Sequence, residues 1–448
     1  MRSRRGPSAI LLGAMVLLLS GCLWPQARFG PSNGGFNPFE YWIGSGNVGS
    51  LAPAFTAPAG WSPLAPVVAR NSLYVGAAGG LKTFDARGTL GCAGVPKICT
   101  PLWTATGLSG KPVATANDIL FTLSGNQLLA FDANGVTGCG GAPKTCTPLW
   151  AGSLGLGEGR SLSLADGVVY VIVVTSFGGG GETDALLAFD AAGSTGCGGT
   201  PKVCTRLWTG GVGGGFAGAG VGGPAVANGR VFATYTRPGV SVVEAFDAAG
   251  VTGCSGSPKS CSPLWTGNTG GGSVPAIADG IVYVGGSPTA LPAFDAAGIN
   301  GCSGTPTTCT PLWTLTDASG LTSPPALANG VAYVGTFAGG LLAFDAKGVN
   351  GCSGSPKTCA PLWHATVGSG LANPPSVANG VVYASANDGS IRAFDAAGVS
   401  GCSGSPKTCS SLWSTMLGAV PGSPIVARGT VYIPTADGNV RAYRLPPS

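Results

Sequence analysis

The stretch AFDAAGVSGCSGSPKTCSSLW, residues 393–413, recurs in recognisable form seven times along the chain. Each copy contains a Phe-Asp pair, two cysteines separated by six residues, and a closing Leu-Trp. The tryptophans that end successive copies lie 47 to 58 residues apart. Self-similarity at this period is typical of propellers, solenoids and other repeat arrays.

Each full repeat contains four short strand patterns, which we name A to D. In the last complete repeat they are PSVA (375–378), VVYAS (381–385), SIRAFD (390–395) and SLWST (411–415). Asn-Gly or Asp-Gly joins A to B in five repeats, and these dipeptides supply the positive φ angles of a tight hairpin turn. Four antiparallel strands per repeat, without a helical period, predict an all-β fold made of propeller blades.

The number of strand B patterns is eight, but the sequence stops before an eighth Leu-Trp. The segment LAPAFT, residues 51–56, resembles PLWTAT and has Phe55 in the place of the tryptophan. The sequence therefore predicts an eight-bladed propeller over residues 45–448. An N-terminal strand would complete its last blade and remove an open edge, which would otherwise invite aggregation.

Residues 1–21 have a basic start and an apolar run, residues 9–19, that is too short to span a membrane, as in a secretory signal peptide. The following Leu19-Ser20-Gly21-Cys22 resembles the lipobox of bacterial lipoproteins, which implies cleavage before Cys22 and a lipid on its thiol. The alternative is an ordinary signal peptide with an incidental cysteine. Residues 22–44, rich in Gly, Pro and Asn, are predicted to form a flexible tether.

The remaining fourteen cysteines form seven pairs of the type C-x6-C, each bracketing a Gly/Ser/Pro turn. Such pairs face each other across a hairpin at disulfide distance, and disulfides indicate an oxidising compartment. Metal binding is disfavoured, because the spacing is not C-x2-C and the only histidine is His364. We expect each bridge to close only its own hairpin. The pairs are Cys92/Cys99, Cys139/Cys146, Cys197/Cys204, Cys254/Cys261, Cys302/Cys309, Cys352/Cys359 and Cys402/Cys409.

The AFDxxG…LW pattern resembles the repeat of pyrroloquinoline-quinone (PQQ) type eight-bladed propellers over essentially residues 45–448. The resemblance implies that the repeat Asp holds the turn after strand C and that the repeat Trp docks between neighbouring blades. One branch of this family comprises quinoprotein dehydrogenases, and another is the scaffold lipoprotein BamB; the cysteine hairpins fit the pattern of neither. The docking tryptophans would be Trp103, Trp150, Trp208, Trp265, Trp313, Trp363 and Trp413.

Residues that could carry catalysis are scarce in this sequence. Glu182 and Asp184 form the one close acidic pair outside the repeat pattern, and a single His leaves no Ser-His-Asp set. The resemblance implies an adjacent Cys-Cys pair against a quinone, but no two cysteines are adjacent. We therefore predict no catalytic, metal-binding or cofactor-binding residues, with PQQ disfavoured.

Charge gives no case for nucleic-acid binding, because subtracting Arg2, Arg4 and Arg5 of the leader from the net charge of +5 leaves +2. A lysine follows proline in six of the seven cysteine hairpins. A ring of such lysines either solubilises a charge-poor protein or attracts anionic lipid headgroups or an acidic partner. These residues are Lys97, Lys144, Lys202, Lys259, Lys357 and Lys407.

Loops on a rigid scaffold commonly carry binding, and the repeats differ most in the B–C loop of blade 3 (176–184) and the D–A loop entering blade 4 (209–222). Aromatic and Arg residues commonly anchor interfaces. The predicted partner-binding residues are Phe177, Glu182, Asp184, Phe216, Tyr235 and Arg237. Gly-rich padding is the alternative interpretation of these loops.

Taken together, the sequence predicts a monomeric propeller that is exported, lipid-anchored to a bacterial membrane through Cys22, and binds another envelope protein as a scaffold. Two alternatives remain: a PQQ- or metal-dependent oxidoreductase, and an inert structural surface protein.

Overall fold

The computed structural model describes residues 23–447 apart from 110, 112, 178–180, 212–222, 238–239, 286–288, 322 and 371. The described chain forms eight separate sheets, each built on four antiparallel strands. Successive sheets touch through their A strands, which therefore surround a common centre. This arrangement confirms the predicted all-β, eight-bladed propeller. Within the described residues no helix is long and apolar enough to cross a membrane.

Strands run A to D from the centre outward in each blade, and blade 1 joins B and C in one long strand, Ser72–Asp85. The A strands are Val67–Ala69, Val113–Ala116, Glu158–Ala165, Ala225–Ala227, Ala276–Ala278, Ala326–Ala328, Ser376–Ala378 and Ile425–Ala427. The other B strands are Ile119–Ser124, Val168–Phe177, Arg230–Arg237, Ile281–Tyr283, Val331–Gly335, Val381–Ser385 and Thr430–Thr435. The other C strands are Gln127–Asp132, Gly181–Asp190, Val240–Asp247, Ala290–Asp295, Gly340–Asp345, Ser390–Asp395 and Asn439–Arg444. The D strands are Trp103–Ser109, Trp150–Ser153, Trp208–Gly210, Trp265–Asn268, Trp313–Thr316, Trp363–Thr366, Trp413–Met416 and, in blade 8, Ala52–Pro58.

The A–B hairpins turn through residues with positive φ, as the Asn-Gly and Asp-Gly pairs predict. Asn379 and Gly380 have φ angles of 44° and 74°. The next strand, Val381–Ser385, is buried along its whole length because neighbouring blades cover both of its faces. This explains why the B strands read as continuous apolar runs rather than as alternating patterns.

Neighbouring blades dock through the repeat tryptophan and a glycine of the next blade. Trp363, at the start of strand D in blade 6, is buried against the Phe394-Asp395-Ala-Ala-Gly398 turn of blade 7. A Cβ on Gly398 would lie 2.4 Å from the Trp363 ring, and Gly398 has a φ of +64°. Only glycine satisfies both requirements. The same contact joins the other repeat tryptophans up to Trp313 to the following blade.

The repeat aspartate fastens this turn, as the family resemblance implies. In blade 3 the Asp190 carboxylate accepts hydrogen bonds from the backbone N–H groups of Ala192, Ser194 and Thr195 and from the Ser194 hydroxyl. Partial burial by itself would raise the pKa of Asp190, but these donors outweigh it and lower the pKa to about 2. The pKa values of Asp85, Asp132, Asp247, Asp295 and Asp345 are lowered in the same way.

The N-terminal strand Ala52–Pro58 completes blade 8, as predicted. It pairs antiparallel with Asn439–Arg444, the C strand of that blade. Phe55 occupies the tryptophan position: a Cβ on Gly88 of blade 1 would lie 2.2 Å from its ring. The ring of blades is therefore closed by pairing the two ends of the chain.

Seven disulfides close the cysteine hairpins, with Cα–Cα distances of 3.9–4.0 Å. Each bridge joins the two strands of its own hairpin, as expected, but the hairpin itself packs on a different blade from the one it follows in sequence. The hairpin that follows strand C of one blade lies on the outer edge of the preceding blade, where its second strand runs parallel to strand D. In blade 6, for example, the His364 N–H donates to the Lys407 carbonyl at 3.0 Å. The hairpins are Cys92–Ala93/Ile98–Cys99, Cys139–Gly140/Thr145–Cys146, Cys197–Gly198/Val203–Cys204, Cys254–Ser255/Ser260–Cys261, Cys302–Ser303/Thr308–Cys309, Cys352–Ser353/Thr358–Cys359 and Cys402–Ser403/Thr408–Cys409.

Residues 24–37, which we call the strap, pass once around the centre and bond the A strand of every blade in order. Trp24 exchanges two backbone hydrogen bonds with Val68 of blade 1, at 2.8 and 2.9 Å. The carbonyls of Pro25, Pro31, Ser32, Gly34 and Gly35 accept from the A strands of blades 2, 4, 5, 6 and 7. The Gln26 side chain exchanges hydrogen bonds with the backbone of Leu164 in blade 3, and the Asn37 side chain donates to the Val426 carbonyl in blade 8.

The prediction of a flexible tether is therefore wrong for residues 23–44. Trp24 and Asn37 are fully buried in the strap. Beyond it, Ile43 is buried and its carbonyl accepts a hydrogen bond from the Asn379 side chain of blade 7. The 3-10 helix Val48–Ser50 then leads into the closing strand. The composition indicated flexibility, but the carbonyl groups of Pro and Gly pair with inner strands that lack another partner.

Deleting the strap should destabilise the propeller. We expect a chain that begins at Pro38 to melt about 10 °C or more below one that begins at Leu23, because about ten buried hydrogen bonds are lost. Thermal unfolding followed by circular dichroism would measure the difference. Equal melting temperatures would contradict the structural role of the strap.

The lowered aspartate pKa values predict acid sensitivity. Asp190 titrates at about 2 in the fold and at about 3.9 in the unfolded chain. Its stabilisation is therefore complete above about pH 4 and is lost as the pH falls through about 2. The melting temperature should stay level from pH 7 to pH 5 and fall below pH 4. An Asp190→Asn variant should show a shallower fall, and a flat profile for the natural chain would exclude this explanation.

Candidate binding surfaces

The propeller has two faces that differ in chemistry. We call the side with the A–B turns and the FDxxG turns the turn face; these turns adjoin one another, as where the Ala396 N–H donates to the Gly380 carbonyl at 2.9 Å. The opposite side, with the B–C and D–A connections, is the loop face. The cysteine hairpins lie at the rim, beside the tryptophan ends of the D strands.

Most of the predicted partner-binding residues on the loop face lie outside what the structure describes. Phe216 falls within 212–222, and the side chains of Phe177, Glu182, Asp184 and Arg237 are likewise not described. The backbone does show that the blade 3 connection is shorter than predicted. Strands B and C pair as far as Phe177 and Gly181, so most of the predicted 176–184 loop is a β-hairpin.

Tyr235 is placed wrongly by the sequence prediction. It lies within strand Arg230–Arg237 rather than in a loop, and its side chain is only 6% exposed. The Tyr235 hydroxyl donates to Glu244 Oε1 at 2.8 Å, and Glu244 is itself buried. This pair, which no sequence motif indicates, stabilises blade 4, and neither residue is accessible to a partner.

The turn face carries a ring of exposed aliphatic side chains that the sequence analysis missed. One such residue follows the glycine of each FDxxG turn in five blades, and its exposure is close to 70% in every case. Exposed apolar groups that recur around one face are typical of a contact surface. The periodic Gly-Val and Gly-Ile pairs were the available signal. The residues are Val136, Val251, Ile299, Val349 and Val399.

Two exposed aromatic residues extend the apolar surface between blades 7 and 8. Tyr41 and Trp42 stack with ring centroids 5.0 Å apart, and both are more than half exposed. Glu40, which is buried, holds this segment on the turn face by accepting from the N–H groups of Trp42 and Gly429. The aromatic pair therefore has a fixed position beside the A–B turn of blade 8.

The hairpin lysines lie at the margin of the same surface. All six are exposed. Five of them donate from Nζ to the carbonyl of the FDxxG glycine in their own repeat, as Lys259 does to Gly250 at 2.8 Å. Lys144, Lys259, Lys357 and Lys407 therefore hold their ammonium groups beside the glycine that precedes a residue of the aliphatic ring.

The centre of the propeller is taken up by the chain itself. Arg28 of the strap is buried, and its Nε donates to the Asn33 carbonyl at 2.9 Å while another guanidinium nitrogen donates to the Pro325 carbonyl. Burial lowers the pKa of Arg28 to about 9, so the side chain remains charged at neutral pH. Backbone carbonyls thus accept hydrogen bonds from the buried guanidinium group of Arg28, which lies within the strap.

The residues present do not fit the quinone site that the family resemblance implies. Every described cysteine is bonded to the cysteine seven positions away, at the rim, so none can form a disulfide with an adjacent cysteine. In the part of the chain that the structure describes, no three His, Cys, Asp or Glu side chains come together as a metal site. His364 lies on a D strand, where its Nε2 is 2.9 Å from the Thr408 hydroxyl.

Comparison with known proteins agrees with this architecture. Residues 305–446 match the family described as outer membrane protein assembly factor BamB. No curated protein sequence matches the chain.

Among solved structures, quinohemoprotein alcohol dehydrogenase from Comamonas testosteroni aligns with a TM-score of 0.65 and 12% identity, over 97% of this chain and 83% of the enzyme. BamB from Moraxella catarrhalis aligns with a TM-score of 0.54 and 13% identity, over 88% of this chain and 97% of that protein. The computationally designed protein Ika8 gives 0.59 and 12%, over 88% and 99%. At such identities the likeness concerns the fold: the chain is an eight-bladed propeller similar in fold to BamB and to the quinohemoprotein dehydrogenase.

The buried position of Tyr235 predicts that its substitution affects stability. Tyr235→Phe should lower the free energy of unfolding by about 1–3 kcal/mol, because a buried carboxylate loses a hydroxyl donor. Denaturant unfolding would measure the change, with the exposed Val251→Ala as a control that should shift it by less than about 0.5 kcal/mol. A Tyr235→Phe variant as stable as the control would argue that the hydroxyl contributes nothing.

Proposed function

We propose that this chain is an exported, lipid-anchored propeller that acts as a protein-binding scaffold of the bacterial cell envelope, without catalysis of its own. The observation that carries the proposal is the strap. Here residues 24–37 of the chain itself bond the A strand of all eight blades and so line the centre of the ring. Binding is then left to the faces and the rim. The match of residues 305–446 to the BamB family supports the same interpretation.

Lipid attachment at Cys22 gives the propeller an orientation. Cys22 lies outside the described residues, but Leu23 and Trp24 follow it directly in the sequence. Trp24 exchanges backbone hydrogen bonds with Val68, which lies two residues before the A–B turn of blade 1. An anchored chain would therefore turn its turn face toward the lipid surface. The aliphatic ring, the stacked Tyr41 and Trp42, and the hairpin lysines suit such a surface. Each lysine near anionic headgroups contributes about 1 kcal/mol.

A quinone- or metal-dependent oxidoreductase is the second candidate, because the structural neighbours include a quinohemoprotein alcohol dehydrogenase and a europium-containing methanol dehydrogenase. It is the weaker one, since the sequence contains no adjacent cysteine pair and, in the described chain, the strap bonds the inner edges of the blades around the centre. An inert surface protein is the third, and the exposed apolar ring argues against it.

Membrane attachment tests the anchoring half of the proposal. The natural chain, expressed in a bacterium, should fractionate with membranes and carry a diacylglycerol thioether on Cys22 by mass spectrometry. Its Cys22→Ser variant should be exported but released. A natural chain that is fully soluble after export would contradict anchoring.

Cross-linking tests the scaffold half. A photo-crosslinking residue on the loop face or rim should give one defined adduct with an envelope protein, whereas the same residue at Val399 on the turn face should label lipid instead. Purified chain that absorbs in the near ultraviolet as a bound quinone does would instead support the oxidoreductase.

A further inference from the structure

The outer edge of blade 7 differs from that of every other blade. In the other seven blades the residue directly after the repeat tryptophan, or after Phe55 in blade 8, donates its backbone N–H to a carbonyl of a cysteine hairpin at 2.9–3.0 Å. The hairpin strand lies parallel to strand D in each case. The donors are Thr56, Thr104, Ala151, Thr209, Thr266, Thr314 and His364, and the acceptors are Lys97, Lys144, Lys202, Lys259, Thr307, Lys357 and Lys407.

Ser414 is the corresponding residue in blade 7. Within the described chain no hairpin lies beside its strand, Trp413–Met416, and the Ser414 N–H has no acceptor. Ser414 is accordingly exposed, whereas all seven counterparts are half-buried. The outer edge of strand Trp413–Met416 therefore lacks the hairpin that covers the corresponding edge in each of the other seven blades.

The N-terminal segment covers the start of this strand and then leaves it. The Trp413 indole donates to the Leu51 carbonyl at 3.1 Å, and the Val48–Ser50 helix packs beside Leu412. Trp413 is therefore buried although blade 8 provides no FDxxG turn for it. Met416, at the other end of the strand, is 64% exposed.

Proteins usually protect an exposed strand edge with a charge, a proline or a covering segment. Strand Trp413–Met416 has neither charge nor proline, and beyond Trp413 the described chain does not cover its outer edge. Strand addition to such an edge is a common mode of peptide recognition, in which backbone hydrogen bonds provide affinity.

We propose that this edge binds an extended segment of a partner protein, which runs parallel to strand D of blade 7 and accepts the Ser414 N–H with a backbone carbonyl. The seven covered edges show which residue types pair with the D strand at the place of Ser414. The paired hairpin residue is Thr in four blades and Ile98, Val203 or Ser260 in the others. A partner segment with a hydroxyl or β-branched residue there meets the same requirement. This inference specifies the partner-binding mode of the proposed scaffold and rests on that function.

A partner strand fits this edge better than a second copy of the chain. All seven described hairpins are already engaged in their own chain. Two copies joined through their blade 7 edges about a two-fold axis would pair antiparallel, whereas the covered edges take a parallel strand.

The probe is a synthetic disulfide-closed peptide with the sequence of residues 397–411, which copies the hairpin that covers blade 6. We expect the labelled peptide to bind the chain that begins at Leu23. Ser414→Pro removes an N–H that, like its counterparts in the other blades, faces away from strand C, and this substitution should weaken binding about tenfold. Ser414→Ala keeps the N–H and should bind within about twofold of the natural chain.

Three results would overturn the proposal: no binding at millimolar peptide, equal binding by the Pro and Ala variants, or a dimer that Ser414→Pro dissociates. If Ser414→Pro does not fold, amide exchange at Ser414 in the natural chain replaces it. Added peptide should then slow that exchange, and unchanged exchange would count against the proposal.

The edge and the scaffold function can fail separately. In the membrane-attached chain, Ser414→Pro should abolish the cross-linked adduct while Ser414→Ala retains it. An adduct that survives Ser414→Pro would leave the scaffold function standing and refute the edge as its site.

Discussion

The structure depends on a tryptophan of one blade packing on a glycine of the next. At Gly398 the close approach of the Trp363 ring and the positive φ both exclude a side chain, so a single position fixes the distance and the angle between two blades. Asp395 fastens the same turn by accepting from three backbone N–H groups. Repetition of this contact turns a chain of weak four-stranded units into a ring.

A ring built from one contact must also be closed, and the closing elements are not repeats. Phe55 takes the tryptophan position against Gly88, and the strap bonds the inner strands of all eight blades. Inner strands have a free edge toward the centre, and an unpaired buried N–H costs about 1–3 kcal/mol. The strap and the disulfide hairpins therefore serve the same purpose at opposite ends of a sheet: the strap covers the inner edge of all eight blades, and a hairpin covers the outer edge of every blade except blade 7.

The sequence predicted what is periodic and failed where partners are distant. Strand order and the disulfide pairs followed from repeat spacing because they involve residues close in sequence, and blade number and the Phe55 closure followed from counting and matching the repeats. The strap did not, since it bonds through Pro and Gly carbonyls and such bonds leave no side-chain pattern. The aromatic residues Trp24, Phe29 and Phe36 were the one hint that residues 23–44 are packed. Tyr235 was misplaced because an extended hairpin and a loop have the same local composition.

The seam between blades 7 and 8 is where the eightfold regularity fails. Tyrosines of five B strands donate to an alanine carbonyl in the FDxxG turn of the next blade, as Tyr333 does to Ala396 at 2.8 Å. At the seam that turn is absent from the described chain, so the buried hydroxyl of Tyr383 has no acceptor. Here Leu51 replaces the turn over Trp413 but leaves the strand edge bare. The seam therefore gives the rim one position that differs from the other seven, and a partner that binds there engages the ring at a single place.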